Sequence, residues 1–206
     1  MASSRNPGRA QDQRVSAAEF AATLPGDDLI SHPELVLDRA TTLGAPPEVV
    51  WPWLAQLGKG RGGWYMPSRL ERVIPRARRG SRNLIGEHQQ LREGDFISDW
   101  GPGFPLMRAT TVQPHHAIVY LSLRERAQRH RWPASEDPDA PGTLAFSWAL
   151  ILTDLGAGQA RLHIRLRLRP AGAVVSRFGG PLDYLTTQLL FAGLRERLAA
   201  VQAASQ

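Results

Sequence analysis

Residues 161–169 read Arg-Leu-His-Ile-Arg-Leu-Arg-Leu-Arg, aliphatic at every second position and basic at the others. A period of two cannot serve one face of a helix and describes a β-strand. Leu162, Ile164, Leu166 and Leu168 form its buried side. Arg161, His163, Arg165, Arg167 and Arg169 form the opposite side, which is expected to be wet. A strand with one apolar face needs a sheet around it and something to cover that face.

The neighbouring segments supply both. Leu144–Leu152 is a second strong strand, joined to the first through the turn Gly156-Ala157-Gly158. Leu106–Gln113 and Ala117–Arg124 precede it, split by Pro114-His115-His116, and Asp95–Ser98 is a shorter candidate. Arg124–Gly142, with Pro133, Pro138 and Pro141, reads as a polar loop. Near the start, Leu35, Leu37, Arg39 and Thr41 alternate with Val36, Asp38, Ala40 and Thr42, giving a first strand. Short turns between successive strands mean antiparallel pairing.

Helical spacing appears in three places. Ala45-Pro46-Pro47-Glu48 opens a helix whose apolar face is Val49, Val50, Trp53, Leu54 and Leu57, and Gly58 ends it. Pro52 falls early enough in it to be tolerated. A short helix is expected from Pro67 to Ile74, followed by a basic loop at Arg76–Arg82. Pro181–Val201 is a long helix with the stripe Leu182, Leu185, Leu189, Leu194, Leu198 and Val201. The predicted fold is α+β: a curved antiparallel sheet of about six strands around a long C-terminal helix, with two short helices after the first strand.

The 206 residues, 42% of them hydrophobic, suit one domain. Residues 1–25 read as a disordered or partly helical tail and 26–203 as the folded unit. No apolar run nears the ~20 residues of a membrane span, and the N-terminus lacks a hydrophobic signal core. A soluble, cytoplasmic protein is expected, and the lack of cysteine excludes disulfides and thiolate metal sites. The net charge of +6 comes from 25 basic residues, all arginine except Lys59. They are scattered along the chain, and the stripe Arg161–Arg169 has no interleaved aromatics, so no specific nucleic-acid partner is expected. The sequence leaves the oligomeric state open.

Several segments resemble the helix-grip domains of the START/Bet v 1-like superfamily, also called SRPBCC or polyketide cyclase/dehydrase-like proteins, and most closely bacterial members of unassigned function. These are Gly26-Asp-Asp-Leu-Ile30, Ala45-Pro-Pro-Glu-Val-Val-Trp-Pro-Trp-Leu54, Gln56-Leu-Gly-Lys-Gly-Arg-Gly-Gly-Trp-Tyr65, Glu93-Gly-Asp-Phe-Ile97 and Phe146-Ser-Trp-Ala-Leu150. The resemblance covers residues 26–202 and implies a deep cavity between sheet and C-terminal helix. It implies a small hydrophobic ligand, lipid-, polyketide- or aromatic-like. The alternative is a cyclase or dehydrase using the same cavity. Fold alone does not choose between them.

Candidate ligand contacts follow from residue type and place. Gly58, Gly60, Gly62 and Gly63 loosen a loop that carries Arg61, Trp64 and Tyr65, so it reads as a pocket lid whose arginine meets an anionic or carbonyl end of the ligand. Trp53 and Trp148 are candidate walls, and Trp100 and Phe104, on a Gly/Pro-rich loop, a candidate rim. Each also suits plain core packing. No nucleophile elbow, metal-ligand spacing or cofactor motif stands out, so no cofactor and no metal are expected. Were acid–base chemistry to occur, Tyr65, Glu71 or Asp95 would be the groups to test, with Asp99 the remaining carboxylate near the expected cavity.

Overall fold

The alternation at 161–169 becomes the second part of β6 (Gln159–Arg169). A computed structural model describes residues 14–99, 103 and 105–204 of the chain. The other strands are β1 (Leu35–Leu43), β2 (Phe96–Ser98), β3 (Leu106–Gln113), β4 (Ala117–Glu125) and β5 (Thr143–Gly156). They form one six-stranded sheet in the order β1-β6-β5-β4-β3-β2, and every pairing is antiparallel. The helices are α1 (Ala17–Ala21), α2 (Pro47–Ala55), α3 (Ser68–Glu71) and α4 (Ala173–Ala204). This is the α+β arrangement that the periodicities predict.

Register decides what the inner face looks like. Leu37 pairs with Leu166, Leu166 with Trp148, and Trp148 with Tyr120, so large side chains stand in one row across four strands. A second row runs Leu35, Leu168, Phe146, Ser122. Leu43, Leu162, Leu150 and Ile118 continue the core under α2, where Val50, Trp53 and Leu54 are buried. Pro47 occupies the first turn of α2, where its missing N–H costs nothing.

The last helix is longer than its sequence suggests. It begins at Ala173 and contains Pro181. Proline reads as a helix start because it lacks a donor, but a helix can carry one inside at the loss of a single backbone hydrogen bond. The expected stripe also divides. Leu194 and Leu198 are buried against the core, Leu189 and Val201 are half-buried, and Leu182 and Leu185 are exposed, while Leu190 and Phe191, outside the expected stripe, are fully buried.

The outer face of β6 is not wet. His163 and Arg165 are buried, and Arg161 and Arg167 are nearly so. Residues 14–31 lie across them as a strap. Arg165 donates to Asp38 Oδ1 (2.8 Å), Asp27 Oδ2 (2.8 Å) and the carbonyls of Ala22 (2.8 Å) and Phe20 (2.8 Å). His163 Nε2 lies 2.6 Å from the same Asp38 oxygen. Arg161 bonds Glu19 at 2.7 Å, which holds that carboxyl down to about 2. Arg167 donates to Ile30 O (3.0 Å). Leu24, Leu29 and Ile30 then cover Val119, Leu121, Ala145, Ala149 and Ile151. The alternation identifies two faces, but it does not say that an acidic segment more than a hundred residues away will neutralise one of them.

Candidate functional site

Between the inner face and the first half of α4 lies a cavity of ≈ 340 Å³. This is within the usual size range of small-molecule sites. Its floor is Leu35 and Leu37 of β1, Leu166 and Leu168 of β6, Phe146 and Trp148 of β5, and Met107 of β3. Trp64, Asp99 and the α4 residues Gly179, Leu182, Asp183, Thr186 and Thr187 complete it. Leu182 lines the cavity and is itself exposed, so the space reaches the surface there.

Local structure sets each wall. Trp64 is delivered by the glycine loop, where Gly58 and Gly63 exchange backbone hydrogen bonds. Gly63 has φ +77°, and a Cβ there would stand 3.0 Å from Gly80 Cα, so a side chain there is strained. Trp64 Nε1 donates to Thr186 O at 3.2 Å, tying the loop to the helix roof. Its ring stacks on Trp148 at 5.9 Å and 23°, and Trp148 in turn stacks on Tyr120 at 5.8 Å and 26°.

Two carboxylates mark the polar ends. Asp99 follows β2 and is buried; it accepts from Arg124 and from Ser122 Oγ (3.3 Å). Asp183 sits on α4 above β1, and Arg39 Nη2 lies 3.0 Å from its Oδ2 without hydrogen-bond alignment. Burial pushes the Asp183 carboxyl up, against the pull of Arg39. Arg39 also donates to Gly180 O (3.1 Å) and reaches the Tyr184 ring at 5.7 Å, which pins the first half of α4 over β1.

The residues singled out from the sequence divide. Trp64 and Trp148 meet at the cavity. Trp53 and Tyr65 are buried beside it in the core, ring to ring at 5.8 Å, with Tyr65 Oη donating to Trp53 O (2.8 Å). Arg61 donates to Ala55 O (3.0 Å) and His88 O (2.7 Å) and so braces the loop from within. Trp100 and Phe104 lie outside the described residues.

The acid–base candidates are engaged elsewhere. Asp95 Oδ2 accepts from Arg92 N (2.8 Å) in a turn. Glu71 is buried between Arg197 (3.0 Å) and Arg82 (2.6 Å). Burial pushes its carboxyl up, but the hydrogen bonds of the two arginines outweigh this and hold it below the usual range. Arg197 also caps the Tyr65 ring at 4.3 Å.

Asp183, Thr186 and Thr187 escape a reading of the sequence. Their signal is weak: a polar i, i+3, i+4 set interrupting an apolar stripe. Among the described residues, no group of three or more His, Cys, Asp or Glu comes together as a metal-ligand set, and no helix is long and apolar enough to cross a membrane.

No protein-family model and no curated protein matches the sequence. Solved structures do match in fold. A hypothetical protein of Helicobacter pylori has a TM-score of 0.50 at 12% identity, covering 85% of this chain and 95% of that one. A conserved protein from Geobacillus kaustophilus has a TM-score of 0.47 at 17% identity, covering 81% and 96%. CalU16 from Micromonospora echinospora has a TM-score of 0.42 at 14% identity, covering 82% and 86%. At such identities the likeness is one of fold alone, and the fold is an antiparallel sheet gripping a C-terminal helix.

Proposed function

We propose that the protein binds a small hydrophobic molecule in the cavity between the sheet and the first half of α4. The observation that carries this is the cavity's wall: Trp64, Phe146, Trp148, Met107 and five leucines around ≈ 340 Å³. Leaving that much apolar surface in contact with water is unfavourable, at about 25 cal/mol per Å². An apolar occupant removes the penalty.

Trp64 and Trp148 make the test direct, because an occupant will change their emission. Titration with 1-naphthalenemethanol is expected to quench tryptophan fluorescence saturably. Leu166→Trp, which fills the floor, is expected to abolish the response while leaving the circular dichroism spectrum unchanged. Saturable quenching that survives in Leu166→Trp would place binding elsewhere and end this reading.

A further inference from the structure

The protein carries a net charge of +6, yet no Arg, Lys or His stands among the described residues that line the cavity. The polar lining is two carboxylates and two threonines. Arg124 and Arg39 hold those carboxylates without lining the cavity themselves. In each ion pair it is the acidic residue, not the basic one, that borders the cavity.

The hydroxyls point the same way. Thr186 Oγ1 already donates to Leu182 O (3.0 Å) and Asp183 O (3.1 Å), and Thr187 Oγ1 is directed to Asp183 Oδ1 (3.5 Å). Trp64 Nε1 is committed to Thr186 O. What Thr186, Thr187 and Asp183 leave for an occupant is oxygen lone pairs.

We propose that the occupant is a planar aromatic amine, and that this cavity refuses aromatic carboxylates. The inference rests on the cavity being a binding site. A flat ring system fits beside the Trp64–Trp148 stack and Phe146. An ammonium group suits the aromatic faces by cation–π attraction, and the carboxylates by charge-assisted hydrogen bonds. The amine has two places to go: Asp99 beside β2, at one edge of the sheet, and Asp183 over β1, at the other. Asp183 is the more receptive, because its Oδ2 is buried with no aligned donor and burial already disfavours its charge. A carboxylate in the same position would stand against the acidic member of each ion pair, with the guanidinium behind it.

Three probes of one shape separate the possibilities: 1-naphthylmethylamine, 1-naphthalenemethanol and 1-naphthoic acid, titrated calorimetrically at pH 7 and low salt. The expected order is amine, then alcohol, then acid, with the amine at least about tenfold tighter than the acid. At long range a chain of net charge +6 attracts the acid, so an amine preference has to arise inside the cavity. Asp183→Asn is expected to weaken the amine about tenfold and to leave the alcohol within about twofold. Thr187→Val, a milder change at the same end, is expected to weaken the amine by a smaller factor. Acid binding as tight as amine binding overturns the proposal while the binding site stands. So does an amine preference that survives both variants. Failure of all three probes to bind ends the binding reading itself, and the proposal with it.

Discussion

The two halves of α4 belong to one helix and live in different surroundings. From Leu190 onward the helix is core: Leu190, Phe191 and Leu194 have no solvent exposure, and Leu198 has 3%. Before that point Phe178, Leu182 and Leu185 are 59%, 63% and 56% exposed. The second half closes on the glycine loop so tightly that a Cβ on Gly193 would lie 2.6 Å from backbone atoms of Tyr65 and Met66. The first half is held off the sheet, pinned by Arg39 at Gly180 and Asp183, with the cavity beneath it. One half is packed for stability, and the other spans a space. A helix can do both because rigidity in the anchored half positions the roof without filling what lies below it.

Substitutions at matched positions can break this contrast. The largest effect is expected from Phe191→Ala, about 3–5 kcal/mol of unfolding free energy in urea titrations. Leu185→Ala is expected to stay within about 0.5 kcal/mol. Similar losses at both sites would mean that the halves are energetically alike.

Gly193→Ala is expected to cost about 1–3 kcal/mol through forced backbone movement. At Gly180→Ala a Cβ meets only Leu37 Cδ2 at 3.8 Å, and the gain in helix propensity is offset by the restriction that Pro181 places on the residue before it, so the net change is expected to stay within about 0.5–1 kcal/mol. Thermal melts should therefore show the larger loss for Gly193→Ala. A fall for Gly180→Ala as large as that for Gly193→Ala would show the roof to be as tightly packed as the anchor.

The smallest effect is a difference in pH dependence. Asp183 is raised in the fold above its ordinary 3.8, so what it contributes to stability is present below that value and lost as pH rises through its folded pKa. Glu71, at the anchored end, is lowered from 4.5, so its contribution is present above 4.5 and lost as pH falls. At neutral pH Asp183→Asn should thus be neutral or stabilising, and Glu71→Gln destabilising. Denaturation midpoints measured from pH 3 to pH 8 check both signs. An Asp183→Asn protein clearly weaker at pH 7 than at pH 4, relative to the parent, would reverse the assignment for the roof.

The anchored half was more legible in the sequence than the roof. Leu194 and Leu198 keep helical spacing with nothing to interrupt it, and the aliphatic positions of 162–168 keep strand spacing. Periodicity reports which side of an element is apolar. It does not report what lies against that side, and here the errors collect. Leu182 and Leu185 continue the stripe yet border a cavity or face outward. The arginines of β6 look solvated, yet Asp27, Asp38 and Glu19 reach them from far along the chain. Asp183 carries only the weak mark of a polar set in an apolar stripe, because its setting depends on Arg39 of a strand 144 positions earlier, which the β1–β6 pairing brings beneath it.

That pairing also fixes a sequence of events. The floor of the cavity joins Leu35 to Leu168 and Leu37 to Leu166, residues far apart along the chain. Contacts of such separation form late, since the loop they close is long. On the ribosome, β1 must wait for β6 to be synthesised before it has a partner. Its alternate side chains Leu35 and Leu37 stay unsheltered until then. The floor of the cavity can consequently be completed only after both β1 and β6 have been made.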